Sequence, residues 1–260
     1  NSLRLGASKT YTLPQAKEIS PYRYVGVNFN SQGNPNLKPS DHYNLDLKWD
    51  FNPTPTELIS LTAFYKLIKN PISRIEVASA GGYLSYENIA DKATVAGVEV
   101  EIRKNLFVRP VSNAAHGMNK LFLGLNGSYI YTNAKMPLAT VTTGSQLEGA
   151  APWIVNFDLS HNFTKGERSF VNTLVLNYVS DKIYTIGTQG YQDIMEQGVL
   201  TLDFVSQAKL NKHLSLNLKA RNLLNPSYKL SRKANENGEK VILNDYKKGI
   251  NISLGVSCTF

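Results

Sequence analysis

The chain has 260 residues, a hydrophobic fraction of 42%, a mean hydropathy of −0.25 and a formal net charge of 28 − 20 = +8. Its Lys and Arg residues are scattered, and its aromatic residues fall in strand-like alternation, which argues against a nucleic-acid partner. No stretch approaches the roughly 18 apolar residues that a spanning helix needs, whereas strands of about 9–11 residues can cross a bilayer. The one cysteine, Cys258, excludes an intrachain disulfide and is expected to be a buried small hydrophobe.

Alternation of apolar and polar residues predicts about ten strands along the whole chain. In chain order they lie at 3–11, 43–51, 59–67 with a continuation at 72–77, 98–102, 121–131, 153–159, 171–179, 202–209, 214–221 and 250–260. The segment 171–179 is less regular, because Val171, Val175 and Val179 interrupt the alternation of its other apolar residues.

The links between these strands alternate in length. Short links occur at 52–56, 164–168 and 211–213, and long ones rich in Gly, Asn and Tyr at 13–40, 78–88, 133–150, 184–198 and 225–248. Outer-membrane barrels have short periplasmic turns and longer outer loops, so this asymmetry favours such a barrel. The link 107–119 is long where a short turn is expected, and the sequence offers no reason for it.

The predicted fold class is therefore all-β, an antiparallel up-and-down transmembrane β-barrel. Aromatic residues near the strand ends, such as Trp49, Trp153 and Phe163, are typical of the girdles at the two membrane interfaces. A soluble β-sandwich also alternates. The one-sided distribution of long links and the charges on most wet faces favour the barrel.

Several segments, taken in order, resemble the C-terminal half of TonB-dependent outer-membrane receptors. The similar motifs are Thr10 to Tyr22 with its Glu-x-x-Pro ending, Gly33-Asn34-Pro35-Asn36-Leu37-Lys38-Pro39, Ala63-Phe64-Tyr65-Lys66 with Asn70-Pro71-Ile72, Tyr86-Glu87-Asn88 leading to Gly97-Val98-Glu99, Asn222-Leu223-Leu224-Asn225, and the terminal Phe260. Each motif alone is weak, but their order and spacing together are specific.

The resemblance implies a barrel of about 22 strands whose lumen is plugged by an N-terminal domain. Residues 1–260 would then be the C-terminal portion of the barrel domain, without the plug or the first barrel half. Because Asn1 is not a Met and no signal peptide follows it, the sequence is expected to begin inside a mature protein. The implied function is energised uptake of a scarce nutrient (a metal chelate, vitamin, glycan or peptide) across the cell outer membrane. The implied partners are outer-membrane lipid, the TonB energy transducer through the plug, and in one subgroup a surface lipoprotein.

Charged side chains on the wet faces cannot meet lipid at the bilayer centre, where each would cost about 2–4 kcal/mol. The predicted lumen-lining residues are Asp46, Lys48, Asp50, Glu99, Glu101, Arg103, Asp158, Asp203, Lys209, Lys219 and Arg221. Tyrosine suits recognition loops because its ring gives contact area at low entropic cost. The predicted substrate contacts in the outer loops are Tyr24, Tyr83, Tyr184 and Tyr191.

No enzyme is predicted, because His42, His116, His161 and His213 belong to no catalytic or metal-binding motif. A barrel enzyme with a site at the rim stays open as an alternative, with His42 or the pair Glu99 and Glu101 as its candidates. Another alternative is a structural or assembly barrel without transport. No cofactor is implied.

Overall fold

The computed structural model describes residues 1–79, 82–111, 117–136, 146–234 and 238–259. Its elements are β1 (Ser2–Thr12), α1 (Ala16–Ile19), β2 (Arg23–Tyr24), β3 (Ser31–Gln32), β4 (Ser40–Phe51), β5 (Leu58–Lys69), β6 (Ile72–Val77), β7 (Tyr83–Asn88), β8 (Lys92–Pro110), β9 (Met118–Ala134), β10 (Trp153–Lys165), β11 (Arg168–Val179), β12 (Lys182–Thr185), β13 (Ile194–Glu196), β14 (Val199–Lys209), β15 (Leu214–Arg221), β16 (Ser227–Lys233), β17 (Lys240–Lys247) and β18 (Asn251–Cys258). None of the helices within these ranges is both long enough and apolar enough to span a membrane.

Ten strands form one large antiparallel sheet. Its order is β1-β4-β5-β8-β9-β10-β11-β14-β15-β18, so each strand pairs with the next large-sheet strand along the chain. This confirms the predicted up-and-down all-β architecture and its ten strands. In the described part of the chain, β1 and β18 stand at the two edges of the sheet, and the barrel is not closed.

The register keeps apolar residues on one face of the sheet and polar residues on the other. Leu47 lies opposite Leu5 on one side and Ala63 on the other, whereas Asp46 lies opposite Gly6 and Phe64. The apolar face is uncovered, with Leu45 49% and Val256 62% exposed. A two-layer sandwich would bury these side chains, so the sandwich alternative is wrong. Cys258 continues this apolar face and is exposed, which corrects the expectation that it is buried.

The two ends of the sheet differ as the link lengths predict. Links at 52–57, 166–167 and 210–213 are short, and those at 13–39, 70–91, 135–152, 180–198 and 222–250 are long. The exception at 107–119 has a structural reason. The hairpin of β8 and β9 extends until Pro110 pairs with Met118, after a bulge between Asn105 and Phe107, so that only 111–117 connect the strands.

The long links fold into two four-stranded sheets, β2-β3-β7-β6 and β12-β13-β16-β17. The first contains β6, which was expected to continue the preceding barrel strand. That expectation is wrong, because Asn70 takes a left-handed conformation (φ 49°) and Pro71 follows, so the chain leaves the large sheet after Lys69.

The buried apolar core lies among the long links and the adjoining ends of β8 and β9. It includes Ile75, Ile89, Ala93, Ile183 and Ile186, and Ile75 and Ile186 also form a parallel bridge between two loops. The long links therefore have a packed core of their own. His116 and Phe260 lie outside the described residues.

Candidate functional site: the outer mouth and the polar face

Asparagines of the family-like motifs join the outer links to one another. The Asn88 side chain accepts a hydrogen bond from the backbone N–H of Lys38 (2.8 Å) and donates to the carbonyls of Lys38 (3.0 Å) and Asn70 (2.9 Å). Asn34 donates to the carbonyl of Tyr86 at 3.0 Å. Three motifs that are distant in the sequence thus meet at one place above the barrel strands.

At two glycines of these motifs, other parts of the chain come too close to leave room for a side chain. A Cβ on Gly33 would lie 2.4 Å from the carbonyl oxygen of Ser20, where helix α1 ends. A Cβ on Gly97 would lie 2.4 Å from the ring of Phe64, which belongs to another motif and faces Gly97 across the β5–β8 pair. Glycine at these positions lets the outer link and the polar face pack closely.

The eleven residues predicted to line a lumen all lie on the polar face of the large sheet. Arg103, Asp158 and Asp203 follow one row, since Gly124 pairs with both Arg103 and Asp158, and Val175 pairs with both Asp158 and Asp203. Asp46, Lys48, Asp50, Glu99, Glu101, Lys209, Lys219 and Arg221 have the same parity in the strand register. Whether this face lines a closed lumen stays a prediction.

A charged depression of about 110 Å³ opens on this face next to Gly124. Glu101 and Arg103 are ion-paired on its rim, with an N–O distance of 2.6 Å. Asp158 leans over Gly124, where an added Cβ would come within 2.0 Å of its carboxylate oxygen. The depression can hold a small polar group from a plug or a substrate.

Other polar-face residues are used within the sheet. Asp50 is buried and pairs with Arg4, and the Lys48 Nζ lies 3.7 Å from its carboxylate. Asp203 accepts a hydrogen bond from the backbone N–H of Asn222 at 2.8 Å. These two carboxylates therefore stabilise local structure as well as facing the polar side.

Each of the four tyrosines predicted in the outer loops has a cation over its ring. Lys17 lies 5.6 Å from the centroid of Tyr24, and Arg23 lies 5.2 Å from that of Tyr83. Arg74 lies 4.1 Å from the Tyr184 ring, and Arg232 lies 5.3 Å from the Tyr191 ring. Such contacts contribute about 0.5–2 kcal/mol each, depending on exposure. The cations were missed by sequence reasoning, because no local pattern links them to the tyrosines.

The most extensive of these contacts centres on Arg74. Its Nε and Nη2 atoms donate to Glu148 at 3.1 and 2.7 Å, and its backbone N–H donates to the same carboxylate at 2.5 Å. Burial acts to lower the pKa of Arg74, but the charge and hydrogen bonds of Glu148, with Tyr184 and Tyr86, raise it above its ordinary value. Burial raises the pKa of Tyr86 against the opposing effect of Arg74. The guanidinium is thus permanently charged and Tyr86 stays neutral at physiological pH.

A second ion pair connects loops that lie far apart in the sequence. Arg232 of β16 pairs with Glu76 of β6, and Thr188 donates to the carbonyl of Glu76. The backbone N–H groups of Glu76 and Ile186 donate to the carbonyls of Ile186 and Arg74, each at 3.0 Å. The long links, which together are called the mouth here, are therefore held together by side-chain and main-chain bonds.

Two depressions open next to these bonds. One of about 330 Å³ is lined by Asp181, Gln192, Asp193, Met195, Ser231, Arg232, Lys233 and Lys240. The other, of about 150 Å³, is lined by Asn28, Tyr184, Glu196, Tyr228, Lys229, Leu230, Asn244 and Tyr246. The first has three cations against two carboxylates, and the second is rich in aromatic rings.

The candidate residues of a rim enzyme are not brought together. The Nε2 atom of His42 lies 2.9 Å from the hydroxyl of Thr12, across the β1–β4 pair. Glu101 is paired with Arg103, and neither Glu99 nor Glu101 lies beside a histidine in the strand register. Within the described ranges, no three His, Cys, Asp or Glu side chains are grouped as metal ligands would be.

Comparison with known proteins gives a consistent result. The family model described as TonB dependent receptor-like, beta-barrel matches residues 1–223. An iron-regulated outer membrane virulence protein of Vibrio cholerae serotype O1 is 24% identical over 208 residues, which are 76% of this chain and 29% of that protein.

Solved structures share the fold. The copper transporter OprC superposes with a TM-score of 0.65 at 14% identity. A mutant ferric enterobactin receptor of Pseudomonas aeruginosa in complex with enterobactin superposes with a TM-score of 0.57 at 16% identity. Each comparison covers 99% of this chain and 38% of the other, so the chain spans well under half the length of these relatives. The family match over most of the chain shows that it belongs to the TonB-dependent receptor-like β-barrel family of the outer membrane.

Proposed function

We propose that this chain is the C-terminal portion of the barrel of a TonB-dependent receptor that imports a negatively charged metal chelate. The observation that carries the proposal has three parts. One face of the large sheet is apolar and uncovered, and the opposite face carries charged side chains. At one end of the sheet, ion pairs and hydrogen bonds join the long links to one another. An apolar exterior requires lipid, and charges at alternating positions require an aqueous interior.

The edges of the sheet support a larger barrel. Among the described residues, strand β1 and strand β18 each have one unpaired side, and an open sheet edge does not occur within the hydrocarbon of a membrane. Further strands of the same barrel would pair with these edges and enclose the polar face as a lumen. A plug in that lumen would contact the carboxylates and cations of the polar face and connect the receptor to TonB. A surface lipoprotein remains a further candidate partner.

The chemistry of the mouth supports a chelate as substrate. The depression beside Arg232, Lys233 and Lys240 has a volume of about 330 Å³, within the range typical of small-ligand sites. Arg232 is already paired with Glu76, but Lys233 and Lys240 are cross-strand partners and suit an anionic ligand, and the tyrosines next to the depression suit flat or aromatic groups. The iron-regulated relative and the enterobactin-bound neighbour agree with this class of substrate.

Uptake by a deletion strain tests the proposal. Labelled ferric chelates, copper salts, vitamin B12, glycans and peptides are supplied separately under limitation, with and without a functional TonB. We expect a TonB-dependent loss of uptake for a ferric chelate, restored by the full-length receptor. Normal uptake of every nutrient by the deletion strain would contradict transport and favour a structural or assembly barrel.

Charge substitutions in the mouth test the proposed depression. Lys233→Gln and Lys240→Gln should each raise the apparent Kd of the chelate about two- to fivefold, because exposed charge pairs contribute about 0.2–1 kcal/mol. Lys165→Gln, at the short-turn end of β10, is the matched control and should leave the Kd unchanged. If all three substitutions changed the Kd equally, the chelate would not bind in this depression.

A further inference from the structure

Three lysines lie side by side where the large sheet meets its long links. Lys69 of β5 is the direct cross-strand partner of Lys92 of β8. Lys135 directly follows Ala134, and Ala134 is the partner of Ala93, so Lys135 continues the same row on the next strand. Because neighbouring strands are about 4.8 Å apart, the three positions form a compact basic group, here called the lysine row.

The lysine row belongs to the outside of the sheet. Ala93 and Ala134 are each only 1% exposed, and with Ile68 they pack into the apolar core of the loops. Successive side chains of a strand point to opposite faces. Lys69 and Lys92 are neighbours of Ile68 and Ala93 in their strands, so they lie on the face that continues the apolar band, and both are exposed. Lys135, the first residue after β9, is exposed beside them.

The neighbouring residues on the same face indicate where the lysine row lies relative to the membrane. Tyr43 and Leu67 are cross-strand partners one step further into the apolar face, followed by Leu45 and Tyr65. The Nζ atoms of Lys69 and Lys9 each lie 5.4 Å from the centroid of the Tyr43 ring. Tyrosine at the end of an apolar band is typical of the interface, so the lysine row lies at the level of the lipid headgroups.

The row also lacks enough negative charge of its own. Asp41 is the partner of Lys69 on its other side, but its carboxylate pairs with Lys9 at 3.3 Å. Across the described residues, no carboxylate lies within 4 Å of the amines of Lys69, Lys92 or Lys135. Like charges at directly opposite positions of a sheet are destabilising, so a bound anion would stabilise this arrangement.

We propose that the lysine row binds the phosphate groups of an outer-leaflet lipid. The lipid's acyl chains would lie along Leu45, Tyr65 and Leu67, which face the same side below the lysines. A phosphate group accepts hydrogen bonds from several ammonium groups at once and carries more charge than one carboxylate. This surface is on the exterior of the barrel and is separate from the mouth and the polar face.

Lipid binding to the purified full-length receptor in detergent tests the proposal. The probes are lipid A with two phosphates, the same lipid without phosphates, and inorganic phosphate, each followed by native mass spectrometry. Lys69→Gln, Lys92→Gln and Lys135→Gln together should weaken lipid A binding roughly a hundredfold, since each cation near an anionic surface contributes roughly a factor of five. The corresponding triple Arg variant should bind as the wild type does.

A control variant with the same loss of charge carries Lys104→Gln, Lys165→Gln and Lys212→Gln, all exposed and near the short-turn end. It should bind lipid A normally. Equal weakening in the control, or equal binding of the dephosphorylated lipid, would overturn the proposal, as would inorganic phosphate binding as tightly as lipid A. Lys92→Gln alone, with an expected fivefold effect, serves if the triple Gln variant does not fold.

Discussion

Asparagine has a specific conformational role at the ends of the barrel strands. Asn70, Asn222 and Asn225 all have positive φ, at 49°, 57° and 44°. Asn222 donates from its side chain to the carbonyl of Gly249 at 2.7 Å, and the side chain of Asn225 accepts from the N–H of Gly249 at 3.1 Å. The motif thus fixes the point where β15 leaves the sheet and the returning chain enters β18.

Substitution of Asn222 should therefore lower the free energy of unfolding by more than is usual for a partly exposed residue. Asn222→Ala loses the side-chain hydrogen bond and also the short polar side chain that lets Asn adopt the left-handed region at low cost, so it should destabilise the full-length receptor by about 2–3 kcal/mol. Asn222→Gly loses only the hydrogen bond and should cost about 1 kcal/mol. Unfolding in urea in the presence of detergent measures both values.

Asn217→Ala is the matched control for this series, because Asn217 lies within β15 on the polar face and has no positive φ. Its free energy of unfolding should change by less than about 0.5 kcal/mol. If Asn222→Ala and Asn222→Gly were equally destabilising, the left-handed conformation at this position would not contribute to the difference in stability, which would contradict the prediction.

Individual strands were predictable from the sequence where lipid and water impose a period of two. Leu45 and Leu47, for example, alternate with Asp46 and Lys48, and the register confirms that they face opposite sides. The same rule failed for Ile72–Val77, because this segment alternates as a barrel strand does. The break comes from the left-handed conformation of Asn70 before Pro71, and the Asn-Pro dipeptide is itself a turn signal in the sequence.

The mouth was less predictable, since its bonds join residues that are distant in the sequence. Arg74 and Glu148 are 74 positions apart, and Arg232 and Glu76 are 156 apart. Such pairs depend on how the loop sheets pack, and a single sequence carries no signal for that packing. The tyrosines could be chosen by residue type, but their cation partners could not.

Strand β11 offers a sharp test of the facing assignment, since Leu174, Val175 and Leu176 are all apolar. Leu176 pairs with Phe157 and Leu202 on the apolar face, whereas Val175 lies between Asp158 and Asp203 on the polar face. Leu176→Arg should cost about 2–4 kcal/mol and impair membrane assembly, because it places a cation in lipid. Val175→Arg should be tolerated, since two carboxylates flank it.

Heat-modifiable migration of the full-length receptor in outer-membrane preparations measures assembly of both variants. Leu176→Met is the control for a change of shape without charge, and it should assemble normally. Equal assembly of Leu176→Arg and Val175→Arg would mean that the two faces have been assigned wrongly, and the lumen-facing set would have to be abandoned.

At the scale of the whole molecule, the two edges of the large sheet decide what the chain can do alone. Strand β1 has 11 residues and β18 has 8, and each is paired on one side only within the part of the chain that the structure describes. An unsatisfied backbone group in hydrocarbon costs several kcal/mol, so the two open edges together exceed the stability of an ordinary domain of about 5–15 kcal/mol.

Residues 1–260 expressed alone should consequently not form a stable monomer in detergent micelles, whereas the full-length receptor should. Refolding of both proteins, followed by gel migration with and without heating, measures this difference. Adding the remaining barrel strands as a separate chain should rescue folding, because they supply partners for β1 and β18. A heat-modifiable monomer of residues 1–260 alone would mean instead that β1 pairs with β18 and closes a small ten-stranded barrel, which would remove the physical reason for placing this chain in a larger one.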